Sequence, residues 1–302
     1  MSARVQIEGS PARGKDVGRR RADRPSWLKI RYRPSPELER LQQLVRSQSL
    51  HTVCESAACP NLSECWSRGT ATFMLGGDTC TRRCGFCDVK TGRPPPLDAG
   101  EPARVAETIA RLGLRFAVIT AVARDDVADG GAAHFAATLE ALHRAAPECR
   151  AEVLVPDFRG SRAALRVVLE ARPDVLNHNL ETVERLQRRV RPQGRYDRSL
   201  ELLARSREIA PDIPTKTGLM LGLGETREEI EQALRDVARQ GCGLLTLGQY
   251  LQPHDHHLPV ERWVTPDEFD HWARVARELG LAEVASGPLV RSSYRAEQLA
   301  AR

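Results

Sequence analysis

The sequence predicts an α/β fold, a partial (βα)6 TIM-like barrel with parallel strands inside and helices outside. Two observations predict this class. From residue 71 onward, short apolar runs alternate about six times with amphipathic stretches of helical length, a pattern typical of βαβ units in a parallel sheet. In addition, three cysteines follow the first apolar run closely, at the end of such a barrel where the loops carry the chemistry.

The predicted strands are short runs rich in branched and apolar residues, and each predicted helix has one apolar face. A Thr226-x-x-Glu229 capping box marks the start of the last predicted helix. The strands are predicted at residues 71–75, 116–121, 152–155, 174–176, 217–221 and 244–247. The helices are predicted at residues 102–112, 132–145, 162–170, 200–209 and 227–240.

Further segments flank the predicted barrel of residues 71–280. Residues 1–24 contain three consecutive arginines in a stretch rich in Gly, Arg and Asp, which indicates a mobile basic tail. Residues 25–70 are predicted to form an N-terminal extension with its own cysteines, and residues 281–302 a C-terminal segment.

Composition and charge are ordinary for a soluble globular chain, with 41% hydrophobic residues, 28% charged residues and a net charge of +5. The longest apolar stretch, residues 116–123, is too short to span a bilayer. Glu8 and Asp16 interrupt what would be a transit peptide, so we expect a cytoplasmic location. Because the arginines are dispersed and aromatic residues make up only 5%, a solvated surface or an acidic protein partner is favoured over nucleic acid.

Six of the eight cysteines fall into two groups of three. The first cysteine group has the spacing C-x4-C-x5-C, and the second has the spacing C-x3-C-x2-C. The two isolated cysteines, Cys149 and Cys242, are predicted to be small buried side chains. The first group is Cys54, Cys59 and Cys65, and the second is Cys80, Cys84 and Cys87.

The second cysteine group suits an iron–sulfur cluster with one open position. Three thiolates can hold three irons of a [4Fe–4S] cluster and leave the fourth iron to a ligand from outside the protein. Structural zinc stays open as an alternative because Cys84-x2-Cys87 has zinc-knuckle spacing, although no second C-x2-C or H-x3-H pair accompanies it. Disulfides are a further alternative, but a chain of 302 residues without a secretory signal does not need them.

The second cysteine group, placed after the first strand, resembles the radical S-adenosylmethionine superfamily. In that superfamily the open iron binds the amino and carboxylate groups of the cosubstrate, and the aromatic residue at the position of Phe86 lies near its adenine. GLMLGLGE, from Gly218 to Glu225, is similar to the superfamily motif G-x-I-x-G-x-x-E at the end of the fifth strand. Its glycines, Gly222 among them, allow backbone to approach the flat adenine closely.

A finer resemblance, to the lipoyl synthase family, runs from about residue 25 to about residue 296. The first cysteine group is similar to that family's auxiliary-cluster segment, and the chain is identified as a member of the family on several ordered blocks. They are HTVCESAACPNLSECW, GGDTCTRRCGFCDV, RDDVADGGAAHF, PDFRG, NHNLETV, VRP, GQYLQP and SGPLVRSSY.

The resemblance implies the insertion of two sulfur atoms at C6 and C8 of a protein-bound octanoyl-lysine. It implies two [4Fe–4S] clusters and S-adenosyl-L-methionine as cofactors. The second cysteine group would hold the cluster that generates a 5′-deoxyadenosyl radical, and the first would hold an auxiliary cluster that supplies the sulfur. A serine of the RSSY block would complete the auxiliary cluster; we expect Ser293, with Ser292 as the alternative. The C-terminal segment is then predicted to fold back onto the N-terminal extension across the barrel mouth.

Several side chains are expected to contact the cosubstrate. Asn179 and Glu181, after the fourth predicted strand, can form hydrogen bonds with its ribose or amino group. Arg191 and Arg124 can bind its carboxylate through a bidentate fork, although a surface ion pair is the alternative for these arginines. The histidine-rich PHDHHLP segment is expected to be a solvated loop rather than a metal site.

The resemblance also implies partners. The substrates would be octanoylated lipoyl carrier domains, namely those of 2-oxoacid dehydrogenase E2 subunits and the H protein of glycine cleavage. A flavodoxin or ferredoxin would donate electrons, and a cluster-repair carrier would rebuild the auxiliary cluster. Neither nucleic acid nor a membrane is expected as a partner. Two alternatives remain: another radical enzyme that inserts sulfur, and a zinc-stabilised basic nucleic-acid-binding protein, which would contain no acid-labile sulfide.

Overall fold

The strands of the protein form one large sheet and one small sheet. The computed structural model describes residues 24–29, 36–56, 59, 61–68, 70–294 and 296–299, so most of the predicted basic tail lies outside the described residues. The strands are β1 (His51–Thr52), β2 (Thr70–Leu75), β3 (Thr79–Cys80), β4 (Lys90–Thr91), β5 (Phe116–Ala121), β6 (Arg150–Leu154), β7 (Val175–Asn177), β8 (Thr215–Leu221), β9 (Leu244–Gln249) and β10 (Glu283–Gly287).

The large sheet has the order β1-β2-β5-β6-β7-β8-β9-β10, and β3 pairs with β4 to form the small sheet. From β2 to β10 all neighbouring strands of the large sheet are parallel. Strand β1 lies antiparallel to β2, with His51 opposite Met74. In the described residues no pairing joins β1 to β10, so the barrel is open between them.

Helices connect the parallel strands and complete six βα units, which confirms the predicted (βα)6 class. In the described part of the chain no helix has both the length and the apolar character that crossing a bilayer requires. The helices are α1 (Pro36–Ser47), α2 (Val53–Ser56), α3 (Leu62–Ser67), α4 (Glu101–Leu112), α5 (Ala132–Ala145), α6 (Arg162–Glu170), α7 (Gln187–Val190), α8 (Tyr196–Ile209), α9 (Arg227–Arg239), α10 (Pro266–Glu278) and α11 (Ala296–Leu299).

The sheet is larger than the six predicted strands. Strand β10 lies beyond residue 280 and reads EVASG; most of its residues are only half-buried, so it lacks the apolar run that marks the other strands. Helix α10 was not predicted either, although Thr265 and Glu268 occupy capping-box positions and the Thr265 side chain accepts a hydrogen bond from Glu268 N. Helix α8 begins four residues earlier than predicted, at Tyr196 rather than residue 200.

Alternate strand residues face opposite sides of the sheet, and this places polar side chains inside the barrel. On β6, Ala151 and Val153 belong to the core between sheet and helices, so Glu152 between them points to the inner face. Asn177 on β7 follows the core residue Leu176 in the same way. Glu152 and Asn177 are fully buried despite their polarity. The inner face of the barrel is therefore partly polar, as a site for a polar ligand requires.

The C-terminal segment packs against the N-terminal extension, as predicted. Asn61 Nδ2 donates a hydrogen bond to the carbonyl of Leu289 at 2.7 Å. Thr70 Oγ1 donates to Glu297 Oε2 at 3.1 Å. These contacts join residues more than 220 positions apart in the sequence, and they bring the RSSY block to the first cysteine group.

Candidate active site

The second cysteine group lies in the loop between β2 and α4. Pairing of β3 with β4, with Cys80 opposite Thr91, closes this loop. Cys80 Sγ accepts hydrogen bonds from the backbone N–H groups of Arg82 at 3.4 Å and of Ala123 at 3.3 Å. The first cysteine of the group is thereby attached to the loop that follows β5.

Gly85 attaches the other end of the loop to the rest of the barrel. Its N–H donates to the carbonyl of Val190 at 2.8 Å, and its carbonyl accepts from Leu258 N at 3.0 Å. A Cβ at position 85 would lie 2.8 Å from the Leu258 side chain, so only glycine fits without a shift. His257 Nε2 lies 3.0 Å from the carbonyl oxygen of Cys87. The prediction of a solvated loop is therefore wrong for His257, whose side chain is only 7% exposed.

All eight cysteines are free thiols, which excludes the disulfide alternative. Burial, aided by neighbouring cysteines, raises the pKa of Cys84 to about 12 and the pKa of Cys87 to about 11. Metal binding must therefore displace protons from these thiols. Cys149 and Cys242 are buried, as predicted for isolated cysteines.

Three of the predicted cosubstrate residues lie together beside the second cysteine group. Asn179 Nδ2 donates to Glu181 Oε1 at 3.0 Å, and Arg191 Nη1 donates to the carbonyl of Asn179 at 3.0 Å. The charges of Arg191 and Glu181 have opposite effects on the pKa of Cys84, so both lie within electrostatic range of that thiol. Glu181 has a φ of 70°, an uncommon conformation for a residue with a side chain that functional sites often contain.

The other predicted cosubstrate residues lie on neighbouring loops. Arg124, after β5, forms an ion pair with both carboxylate oxygens of Asp126 at 2.9 and 2.8 Å; its Nη1 is buried and has no hydrogen-bond partner among the described residues. Gly222, after β8, has a φ of 100°, and its N–H donates to Glu225 Oε1 at 2.6 Å. Phe86 is half-buried and packs against the core formed around β8 and β9.

The first cysteine group lines a cavity with the RSSY block. Helix α2 carries Cys54, helix α3 carries Cys65, and Cys59 N donates to the carbonyl of Cys54 at 3.0 Å. The cavity has a volume of about 280 Å³, part of it open to solvent. Its lining consists of Cys54, Cys59, Asn61, Leu62, Cys65, Thr70, Thr72, Arg291, Ser293 and Tyr294.

Arg291 gives this cavity a positive charge. No carboxylate of the described residues forms an ion pair with it, and its Nη1 donates to the carbonyl of its neighbour Val290 at 2.7 Å. Burial lowers the pKa of Arg291, while the nearby Cys59 raises it. A half-buried charge without a carboxylate partner favours an anion beside it, so the cavity suits an anionic group. A [4Fe–4S] cluster with thiolate ligands is such a group, and the residues present fit it.

The two serines of the RSSY block face different parts of the protein. Ser293 lines the cavity. Ser292 accepts a hydrogen bond from Asn177 Nδ2 at 2.9 Å and donates one to Asn179 Oδ1 at 2.9 Å. Of the two, Ser293 is therefore the serine that can reach a group in the cavity.

The arrangement of the thiols does not support zinc. Across the described residues, no three histidine, cysteine or acidic side chains are grouped so that they could hold a single metal ion. A zinc ion needs all its sulfur ligands at about 2.3 Å. In a [4Fe–4S] cluster each cysteine binds a different iron, so its ligands stand farther apart.

Sequence reasoning missed several residues that position the site. Arg82 and Arg291 lie inside the quoted sequence blocks, and each stands two residues from a predicted metal ligand, which is the signal that could have identified them. Ser292 was named only as the alternative cluster ligand, and its hydrogen bonds to Asn177 and Asn179 were not predicted. Asn177 offered a weaker signal, as a polar residue at the end of a buried strand.

Comparison with known proteins agrees with this geometry. Residues 74–237 match the family model of the radical SAM superfamily. The chain is 57% identical over 278 residues to the lipoyl synthase of Thioalkalivibrio sulfidiphilus, covering 92% of this chain and 87% of the relative. It is 59% identical over 279 residues to the lipoyl synthase of Methylococcus capsulatus, with the same coverage. Among solved structures, the [FeFe]-hydrogenase maturase HydG of Carboxydothermus hydrogenoformans shares the fold, with a TM-score of 0.56 at 13% identity over 88% of this chain and 77% of that one.

Proposed function

The chain belongs to the lipoyl synthase family of the radical S-adenosylmethionine superfamily, and from this premise we propose how its residues divide the reaction. The reaction inserts two sulfur atoms into a protein-bound octanoyl chain, at C6 and C8, and gives the lipoyl group. It uses a [4Fe–4S] cluster and S-adenosylmethionine. Both carbons are unactivated, so no side chain of ordinary pKa can remove their hydrogens.

The second cysteine group is proposed to hold the radical cluster, with one iron left open for the cosubstrate. When bound, the cluster would supply one electron to each of two S-adenosylmethionine molecules, and each of the two 5′-deoxyadenosyl radicals so formed would remove one hydrogen atom, one from C6 and one from C8. Asn179 and Glu181 would bind the ribose or amino group, since they are hydrogen-bonded to each other beside the cysteine loop. Arg191 would bind the carboxylate, because no ion pair with a described carboxylate occupies it.

The first cysteine group is proposed to hold the auxiliary cluster, with Ser293 as its fourth protein ligand. The observation that carries this proposal is the cavity lined by the three cysteines, Ser293 and Arg291. Arg291 would compensate the negative charge of the bound cluster. The serine oxygen would be a harder ligand than a thiolate, so Ser293 would distinguish one iron of the auxiliary cluster from the three held by cysteines, and the cluster would supply the sulfur.

Membership of the family also implies partners for this reaction. We propose that the substrates are octanoylated lipoyl domains of 2-oxoacid dehydrogenase E2 subunits and the H protein of glycine cleavage. A flavodoxin or ferredoxin would supply electrons, and a cluster-repair carrier would restore the auxiliary cluster after each turnover. We also propose a cytoplasmic location, because Glu8 and Asp16 interrupt what would be a transit peptide.

A single-turnover assay under strict anaerobiosis tests the proposal. The iron-loaded protein is mixed with an octanoyl-lysyl peptide, S-adenosylmethionine and dithionite, and the products are identified by mass spectrometry. A peptide that gains two sulfur atoms, together with 5′-deoxyadenosine, supports the proposal. Release of 5′-deoxyadenosine from the wild type with an unchanged peptide would contradict the assignment of the auxiliary cluster.

Variants separate the two cysteine groups. Cys84→Ala should abolish cleavage of S-adenosylmethionine. Cys59→Ala and Ser293→Ala should retain some cleavage but form no lipoyl product, because each removes a ligand of the auxiliary cluster only. Cys149→Ala is the matched control, since it removes a buried cysteine that lies outside both groups, and it should make product like the wild type.

A further inference from the structure

A continuous chain of hydrogen bonds links the C-terminal segment to the inner face of the barrel. It begins at Lys216, whose Nζ donates to both carboxylate oxygens of Glu152 at 3.0 and 2.8 Å. Asn177 Nδ2 donates to Glu152 Oε1 at 2.7 Å and to Ser292 Oγ at 2.9 Å. The chain thus reaches the RSSY block from three different strands of the sheet.

From Ser292 the chain continues toward the residues assigned to the cosubstrate. The Ser292 hydroxyl donates to Asn179 Oδ1 at 2.9 Å, and Asn179 Nδ2 donates to Glu181 Oε1 at 3.0 Å. Each hydrogen bond along this path pairs one donor with one acceptor, and no group has to donate and accept with the same atom pair. Because Asn177 must donate to the Glu152 carboxylate, its amide group cannot be reversed, and Ser292 must use its hydrogen toward Asn179.

This direction decides the orientation of the Asn179 amide. With its oxygen bound to Ser292, its nitrogen faces Glu181. Gly218 leaves the room that this orientation needs, since a Cβ at position 218 would lie 2.9 Å from Asn179 Oδ1 and 2.6 Å from Thr246 Oγ1. Without the serine hydroxyl, no described donor holds Asn179 Oδ1, and the amide is free to turn away from Glu181.

We propose that Ser292 is a positioning residue that fixes the Asn179–Glu181 pair in the orientation that binds S-adenosylmethionine, while the adjacent Ser293 serves the auxiliary cavity. The inference rests on the proposed function, because it assigns Asn179 and Glu181 to the cosubstrate. It divides the two serines of one block between two sites. The C-terminal segment would then contribute to cosubstrate binding as well as to the auxiliary cluster.

Two measurements on the cluster-loaded protein test this role. Anaerobic equilibrium dialysis gives the dissociation constant of S-adenosylmethionine, and chemical analysis gives the iron and acid-labile sulfide content. Ser292→Ala should raise the dissociation constant about fivefold, the effect of one lost hydrogen bond, and should keep the wild-type iron and sulfide content. Ser292→Thr retains the hydroxyl and should bind within about twofold of the wild type. Ser293→Ala should show the reverse pattern, with less iron and sulfide but unchanged cosubstrate affinity.

A double-variant comparison distinguishes positioning from a general effect on folding. If Ser292 acts through Asn179, then Ser292→Ala should cause no further loss of affinity in an Asn179→Ala background. Additive losses in the double variant, unchanged affinity in Ser292→Ala, or loss of iron from Ser292→Ala would each overturn the inference. A wild-type protein that carries its clusters but binds no S-adenosylmethionine would overturn the proposed function, and this inference with it.

Discussion

The guanidinium of Arg82 binds both carboxylate oxygens of Asp125, with Nε and Nη2 each 2.7 Å from one oxygen. Nη2 also donates to Asp157 Oδ1 at 2.6 Å. Arg82 is part of the second cysteine group's loop, whereas the two aspartates follow β5 and β6. The three side chains therefore attach the cysteine loop to two neighbouring barrel loops, and Asp157 is only 1% exposed.

Removing Asp157 should weaken both the fold and the cysteine loop. We expect Asp157→Ala to lower the free energy of unfolding by about 3 kcal/mol, because it leaves a buried guanidinium with one partner instead of two. The iron content of the radical site should fall as the loop loses its attachment. Urea denaturation and iron analysis after anaerobic reconstitution measure the two effects.

An exposed ion pair provides the control for this variant. Arg172 and Asp212 form an ion pair in which both side chains are 59% exposed. Asp212→Ala should leave the free energy of unfolding nearly unchanged, because solvent screens an exposed ion pair, and should leave the iron content unchanged. Equal decreases in the free energy of unfolding in the two variants would show that the buried Asp157 contact stabilises the protein no more than an exposed ion pair does.

Gly222 should not tolerate a side chain. Its φ of 100° is strained for any other residue, and a Cβ would lie 2.3 Å from Gln249 Nε2 and 2.6 Å from the carbonyl oxygen of Arg262. We expect Gly222→Ala to destabilise the protein by about 3 kcal/mol and to weaken cosubstrate binding. Gly243→Ala is the matched control, since no atom lies within 4 Å of a Cβ there. Comparable thermal unfolding temperatures for the two variants would contradict this expectation.

His178 should make stability sensitive to acid. Burial, with a contribution from Arg191, lowers the pKa of His178 to about 4 from an ordinary value of 6.5. The folded state therefore favours the neutral ring. Its Nδ1 lies 2.8 Å from the carbonyl oxygen of Val155, and its Nε2 lies 3.0 Å from Ser199 Oγ. The stabilisation is complete above about pH 6.5 and is lost as the pH falls toward about 4. By about pH 5 the free energy of unfolding should have fallen by about 2 kcal/mol from this source.

The test compares how stability depends on pH in two histidine variants. The free energy of unfolding is measured by urea denaturation between about pH 7.5 and about pH 5. It should decrease less over this range for His178→Gln than for the wild type, whatever the difference in stability between the two proteins at neutral pH. His143 is exposed on α5, and His143→Gln should follow the wild-type decrease. A His178→Gln protein that loses stability as steeply as the wild type would refute the assignment.

The sequence allowed the fold class to be predicted, and the cysteines to be sorted into two candidate ligand groups, because both depend on local patterns. Alternating apolar runs located strands such as Phe116–Ala121 within one or two residues, and cysteine spacing separated the two groups. The choice of Ser293 over Ser292 depended on the family resemblance, and the cavity lining supports it.

The contacts that position the site could not be predicted, since they join residues distant in the sequence. Arg82 and Asp157 are 75 positions apart, and Asn177 and Ser292 are 115 apart. No periodicity or spacing marks such pairs, because only the folding of the chain into the curved sheet brings them together. His257 was assigned to solvent for the same reason: its contact is the carbonyl of Cys87, 170 positions away.

The buried pair of Lys216 and Glu152 should be strongly coupled. Lys216 is fully buried and Glu152 is 0% exposed, so each charge depends on the other inside the barrel. Glu152→Gln leaves an unpaired ammonium, and we expect it to lower the free energy of unfolding by about 4 kcal/mol. Lys216→Met leaves an unpaired carboxylate and should be similarly destabilising.

The double variant measures the coupling directly. Glu152→Gln with Lys216→Met removes both charges and keeps a hydrogen-bond acceptor for Asn177, so it should be more stable than either single variant. A coupling free energy of about 3 kcal/mol is expected from urea denaturation of the four proteins. If the effects of the two single variants simply add, the pair is not coupled in this way. Because Glu152 also orients Asn177, the double variant should recover stability more fully than affinity for S-adenosylmethionine.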